Sequence, residues 1–152
     1  MKPSFLITLA TSLVVLSMTQ AFAHTPAGWT DNYAKALEKA KAENKHVLLD
    51  FTGSDWCPWC IKLDKEIFAK AEFKSFAKDN LVLVTLDFPN SPLPKKTKDQ
   101  NDKLKGKFGA KGFPTLVIVD AEGKEVWKHV GYIEGGPPAF IKEVSGVLKT
   151  KG

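Results

Sequence analysis

The sequence contains two cysteines and no arginine, and these two shortages narrow what the chain can be. A domain stabilised by a disulfide framework needs several cysteine pairs, so that class of protein is excluded. Arginine is the side chain that binds phosphates and guanine edges through two parallel hydrogen bonds. Every strongly basic side chain here is lysine, so the net charge of +5 does not indicate nucleic-acid binding, and we expect none.

Much of the positive charge lies in residues 95–111, where seven lysines stand against two aspartates, a net charge of +5. Such a run can be the solvated face of a helix or a patch that attracts a partner. The sequence leaves both interpretations open, and we favour the solvated face.

The first 23 residues differ in composition from the rest. Residues 5–18 are mostly apolar, and residues 21–23 have the small-x-small pattern of a signal-peptidase site. We expect a signal peptide over residues 1–23, cleavage after Ala23, and a single domain over residues 24–152 in the periplasm or outside the cell. An uncleaved membrane anchor is the alternative, but its apolar run is shorter than the ~20 residues that a spanning helix needs.

The remaining sequence alternates between helical and strand patterns. The predicted elements, in order, are a helix over about 31–44, a strand over 46–52, a helix over 58–69, a helical segment over 72–79, a strand over 81–88, a helix over 98–108, strands over 115–119 and 125–130, and a helix over 137–149. Alternation followed by a hairpin predicts an α/β sandwich with a mixed central sheet flanked by helices.

The motif Cys57-Pro58-Trp59-Cys60 lies where the first predicted strand passes into a helix. A helix start can lower the pKa of a cysteine thiol from ~8.5 to roughly 3.5–7.5. We therefore interpret Cys57 as a nucleophile that should be the more accessible sulfur. Cys60 falls on an apolar helix face with Leu63, Ile67 and Ala71, so we interpret it as a buried resolving thiol. The Cys57–Cys60 disulfide would then be the redox centre, and no separate cofactor is expected.

A metal site is the alternative use of the two thiols. A structural zinc ion needs four ligands, and none of His24, His46 and His129 has ligand spacing to the pair. A copper-handling protein would call for a histidine or methionine ligand close to the thiols, and the only methionines lie in the signal segment. We expect no metal.

The chain resembles the thioredoxin family over about residues 45–150. Four motifs carry the resemblance: the strand at 49–51, the Trp-Cys-x-x-Cys run at 56–60, the approach to a proline at 107–116, and Gly131. The resemblance implies a thioredoxin-like three-layer sandwich and thiol–disulfide exchange. Five features depart from thioredoxin itself: an extra residue between the strand and the cysteines, Pro-Trp in place of Gly-Pro, a following strand without lysine, a loop over 89–98 that looks like an insertion, and an N-terminus too short for a full extra strand.

Asp50 lies within an apolar strand, where burial should raise the pKa of its carboxyl group. The resemblance implies that Asp50 exchanges a proton with Cys60; the alternative is a strand-end aspartate that reaches solvent or caps a turn. For Pro114 the default is a trans peptide bond that opens a strand. The resemblance instead implies a cis bond facing the cysteines, with the backbone of Phe113 exposed to a substrate strand.

Trp56, Pro58 and Trp59 surround the sulfurs in sequence and are candidate substrate-binding residues. We expect Trp59 to be exposed, whereas Trp56 is either part of a docking surface or core packing, and we favour core packing for it.

These features predict an exported protein thiol–disulfide oxidoreductase that reduces or exchanges disulfides. Net dithiol oxidation is the first alternative, and a binding module that uses the fold as a scaffold is the second. The expected partners are disulfide-bonded proteins and a redox partner such as a membrane electron donor. We expect a monomer.

Overall fold

The computed structural model describes residues 25–149, so the predicted signal peptide lies outside the described residues. The elements of this part of the chain are β1 (Trp29–Thr30), α1 (Tyr33–Glu43), β2 (His46–Thr52), α2 (Pro58–Leu63), a π-helical turn (Asp64–Phe68), α3 (Ala71–Asn80), β3 (Leu81–Asp87), α4 (Lys95–Lys107), β4 (Thr115–Val119), β5 (Glu125–Val130) and α5 (Gly136–Lys149). None of the helices within 25–149 has the length and apolar character needed to cross a membrane.

The strands form one mixed sheet in the order β1-β3-β2-β4-β5. β1 and β2 both run parallel to β3, whereas β4 is antiparallel to β2 and to β5. Thr52 and Asp87 are register partners at the carboxyl ends of β2 and β3. The segment that follows β2 and carries the cysteines therefore starts beside the end of β3.

Helices cover both faces of this sheet, which confirms the predicted three-layer α/β sandwich. Val47, Leu49 and Phe51 of β2 belong to one apolar cluster, with residues of α1 and α4, and Leu48 belongs to the other, with residues of α2, α3 and α5. Because β2 is buried on both faces, its apolar run is nearly continuous, as the sequence predicted.

The elements differ from the predictions most clearly in three places. The edge strand β1 was not predicted, because two residues leave no readable pattern. α4 starts at Lys95, three residues earlier than expected. The predicted helix over 58–69 ends in the π-helical turn, after which Lys70 has extended backbone angles. Ala71 therefore begins a separate helix, α3, and is exposed, although the 3.6-residue period of the preceding helix placed it on the buried face.

Candidate active site

The two cysteines form a disulfide at the start of α2. Cys57 is the N-cap residue, Pro58 occupies the first turn, and Cys60 lies one turn further along. The backbone N–H of Cys60 donates a hydrogen bond to Cys57 Sγ at 3.3 Å. Proline fits here because the first helical N–H groups have no partner within the helix. One of the free N–H groups at the helix start is thus directed at Cys57 Sγ, where a thiolate would benefit from it.

Both sulfur-bearing residues are buried in the disulfide state. The exposed fractions are 4% for Cys57 and 3% for Cys60, so the expected difference in accessibility is absent here. The exposed side chains lie on either side of them in sequence: Trp56 is 44% exposed and Trp59 is 54% exposed. The exposure of Trp59 confirms the prediction. Core packing, the favoured interpretation for Trp56, is wrong.

Asp50 lies inside β2, with Thr85 of β3 and Leu116 of β4 as its register partners. It is 8% exposed, and its Oδ1 atom has no hydrogen-bond partner among the residues described. Burial, with added repulsion from the carboxylates of Asp64 and Asp87, raises the pKa of Asp50 to about 8. The alternative of an aspartate that reaches solvent is therefore wrong, and the predicted rise in the pKa is found.

The side of the sheet on which Asp50 lies follows from the alternation along β2. Asp50 is two residues from Leu48, which packs in the same cluster as Leu63 of α2. Residues two apart in a strand share a face. Asp50 consequently lies on the face that α2 covers, beneath the helix that carries Cys60.

The Phe113–Pro114 peptide bond is cis, as the resemblance implied. The carbonyl of Pro114 accepts a hydrogen bond from the N–H of Gly131 at 2.8 Å, and Thr115, the next residue, is the register partner of Phe51. The ring of Phe113 meets that of Trp56 edge-on, with 5.6 Å between centroids. Phe113 and the cysteine-bearing segment, distant in sequence, therefore lie side by side.

The segment between β2 and α2 is held by the end of β3. Both the N–H and the hydroxyl of Ser54 donate hydrogen bonds to the Asp87 carboxylate, at 3.0 and 2.6 Å. The indole N–H of Trp56 donates to the carbonyl of Phe88 at 2.7 Å. Sequence reasoning missed these anchors, because each joins residues more than 30 positions apart and no local pattern reveals such a pair.

Two lysines close to the motif were also missed. Lys62 lies over the rings of Trp59 and Tyr132, with its Nζ atom 5.2 and 4.4 Å from the ring centroids. Lys105 lies over Phe88 and Phe113, at 5.2 and 5.1 Å. A helical period on α4 could have singled out Lys105, but nothing in the sequence places the two phenylalanine rings beneath it.

The rest of the lysine-rich stretch behaves largely as a solvated face. Lys95 pairs with Asp99 and Lys98 with Asp102, each one helical turn apart on the exposed side of α4. Within residues 25–149, no group of three or more histidine, cysteine, aspartate or glutamate side chains is placed to hold a metal ion.

Comparisons with known proteins agree with this geometry. A family model described as a thioredoxin-like domain matches residues 33–144. The disulfide bond reductase DsbH of Chlamydia pneumoniae is 40% identical over 137 residues, which cover 90% of this chain and 81% of that protein. A solved structure of a DsbH oxidoreductase superposes with a TM-score of 0.77 at 39% identity, covering 92% of this chain and 96% of the other.

A thioredoxin from Thermus thermophilus superposes with a TM-score of 0.62 over 78% of this chain and 85% of that one. At 22% identity it shows the shared fold alone. The fold, the disulfide at the start of α2 and the similarity to DsbH together show that the chain belongs to the thioredoxin-like family and is a thiol–disulfide oxidoreductase.

Proposed function

We propose that the protein reduces disulfide bonds in exported proteins, with Cys57 as the attacking sulfur. The observation that carries this role is the position of Cys57 at the N-cap of α2, where the Cys60 N–H donates to its sulfur. The similarity to a protein named a disulfide bond reductase, which extends over 90% of the chain, favours reduction over net oxidation.

The reaction starts from the dithiol form. The Cys57 thiolate attacks one sulfur of the substrate disulfide; that S–S bond breaks, a Cys57–substrate disulfide forms, and the other substrate sulfur leaves as a thiolate and takes up a proton. Cys60 then loses its proton and attacks Cys57 Sγ. The mixed disulfide breaks, the Cys57–Cys60 disulfide forms, and the second substrate thiolate leaves and is protonated. Two electrons pass to the substrate, so an external dithiol must return two electrons to the protein.

Asp50 is the proton acceptor in the second step. It lies on the sheet face beneath α2, and a carboxyl group whose pKa is about 8 is partly ionised near neutral pH. It can take the proton of Cys60, directly or through water, and return it when the disulfide is reduced again.

The substrate binds across the sulfurs. Trp56, Pro58 and Trp59 are exposed around the disulfide and offer an apolar surface to an extended chain. Phe113, next to Pro114, offers its backbone for pairing with a substrate segment as an added strand.

Export follows from the N-terminal segment, whose residues 1–23 have the composition of a cleaved signal peptide. The mature protein acts as a monomer in the periplasm or outside the cell, where disulfides persist, and depends on a redox partner such as a membrane electron donor.

A redox titration of the mature chain, residues 24–152, tests the direction of electron flow. Trp56 and Trp59 flank the sulfurs, so tryptophan fluorescence in graded thiol/disulfide buffers should report the transition. We expect a two-electron transition with a potential near that of thioredoxin, about −270 mV. A value near about −120 mV would indicate a dithiol oxidase instead. The absence of a transition would indicate a binding module.

The role of Asp50 has its own kinetic test. Because general base catalysis contributes typically ~10²–10⁴-fold, Asp50→Asn should slow the release of substrate from the mixed disulfide by at least about 100-fold. Formation of the mixed disulfide should be affected much less. An unchanged rate of release would exclude the proton-transfer role.

A further inference from the structure

Two lysines rest on aromatic rings that belong to the cysteine-bearing segment or contact it. Lys62 of α2 lies over Trp59 and Tyr132, whose own ring centroids are 6.0 Å apart. Lys105 of α4 lies over Phe88 and Phe113. Trp59 belongs to the motif, and Phe113 contacts the Trp56 ring, so both lysines border the surface where a substrate must approach the sulfurs.

Within residues 25–149, neither ammonium group forms an ion pair with a carboxylate. Within the described residues, five other lysines have a carboxylate oxygen within 4 Å: Lys39, Lys45, Lys95, Lys98 and Lys128. Lys62 and Lys105 are not among them. Glu66, one helical turn after Lys62, is instead hydrogen-bonded by the hydroxyl group of Tyr132. The one exposed carboxylate within the segment that precedes the motif, that of Asp55, accepts from the backbone N–H of Asn90.

This arrangement has a physical consequence for binding. A lysine side chain normally loses rotamer freedom when it forms an ion pair, and that loss offsets much of the gain. Resting on aromatic rings within about 6 Å of the centroid, an ammonium is already attracted and held in place. It keeps its full charge and its three N–H donors for an incoming acceptor.

We propose that the active-site face selects disulfide-bonded protein segments that carry aspartate or glutamate beside the cysteine. The aromatic rings contact the extended chain, and Lys62 and Lys105 bind the carboxylates that flank the substrate cysteine. This substrate class rests on the proposed reductase function, which it makes more specific.

The test uses three cyclic peptides that share one disulfide and differ only in the residues flanking the cysteines, which are glutamate, glutamine or lysine. The fully reduced protein is mixed with each peptide, and the second-order rate constant of reduction is followed by tryptophan fluorescence at low and at high salt. We expect the glutamate peptide to react at least about 10-fold faster than the lysine peptide at low salt, with the glutamine peptide between them. The difference should shrink at high salt.

Substitutions show which lysine is responsible for the preference for the glutamate peptide. Lys62→Gln and Lys105→Gln should each reduce the glutamate-over-lysine ratio by about 3-fold or more, whereas Lys105→Arg should retain it. Lys103→Gln is the matched control, because it removes the same charge from the exposed side of α4. A loss of rate that is equal for all three peptides in Lys105→Gln would mean that Lys105 only supports the rings, and would overturn the proposal.

The glutamine peptide separates this inference from the function on which it depends. If the wild-type protein does not reduce the glutamine peptide, the reductase function itself is wrong. If it reduces all three peptides at the same rate, the function stands and the preference for acidic substrates is wrong.

Discussion

Asp50 of β2 and Thr85 of β3 are register partners in the centre of the parallel part of the sheet, and both are buried. Thioredoxin places a lysine on this strand beside its buried acid, whereas β3 of this chain has none. The charges that act on Asp50 are instead the carboxylates of Asp64 and Asp87. Repulsion thus adds to burial, and both favour the protonated carboxyl group.

The first prediction concerns stability and pH. The pKa of Asp50 is about 8 in the folded protein and 3.8 in the absence of these effects, so between these values the folded state binds a proton that the unfolded state has lost. The stabilisation of the folded state by this proton is fully present below about pH 4. It is lost as the pH rises to 8, at about 1.4 kcal/mol per pH unit. In urea unfolding, Asp50→Asn should therefore have a larger free energy of unfolding than the wild type. The difference between the two free energies should widen by several kcal/mol between pH 5 and pH 8. Asp79→Asn, an exposed change on α3, is the control, and a gap independent of pH would contradict the prediction.

The second prediction concerns Asp87, whose negative charge acts on Asp50 and whose carboxylate holds Ser54. Asp87→Asn removes a like charge, so the pKa of Asp50 should fall, which carboxyl ¹³C NMR titration of Asp50 would measure. Ser54→Ala is the matched control, because it removes the 2.6 Å hydrogen bond without removing the charge. It should cost about 1–3 kcal/mol of stability and leave the titration midpoint of Asp50 in place. Equal midpoints in the wild type and Asp87→Asn would show that the repulsion is negligible.

The third prediction concerns Gly53, which the Trp56 indole closely covers. A Cβ atom at Gly53 would lie 2.6 Å from Cζ2 and 2.8 Å from Nε1 of that ring. Gly53→Ala should displace the indole from the Phe88 carbonyl, lower stability by about 1–3 kcal/mol and change the tryptophan emission. Gly106→Ala on α4 meets nothing within 4 Å and should instead stabilise by roughly 0.5–1 kcal/mol, because alanine favours helix. Unchanged emission in Gly53→Ala would show that Trp56 can keep its place.

The fourth prediction separates the roles of the two sulfurs. Cys60→Ser should accumulate a stable Cys57–substrate disulfide, because no second thiol remains to release the substrate. Cys57→Ser should form little or none and lose turnover, because the N-terminal N–H of α2 favours a thiolate at position 57. Intact-mass spectrometry after mixing with a disulfide peptide measures both. If Cys57→Ser accumulated the mixed disulfide and Cys60→Ser did not, Cys60 would be the attacking sulfur and Cys57 the resolving one.

Local patterns predicted much of the architecture and of the centre of the site. The apolar run of β2 predicted a buried parallel strand, and Cys57-Pro58 predicted a helix start, because burial on both faces and proline geometry leave direct traces in the order of residues. Asp50 could be singled out as buried for the same reason. The π-helical turn and the break at Lys70 left no such trace, and Ala71, which begins the next helix, is exposed instead of buried.

By itself, the sequence determined which residues carry the sulfur chemistry, since two cysteines three positions apart at a strand-to-helix junction admit few other uses. Tertiary structure alone decided what surrounds them. The indole N–H of Trp56 reaches the carbonyl of Phe88, and Lys105 lies over the ring of Phe113, which contacts the Trp56 ring. Contacts of this kind join residues that are far apart along the chain, and their geometry is fixed only when the sheet brings the ends of its strands together.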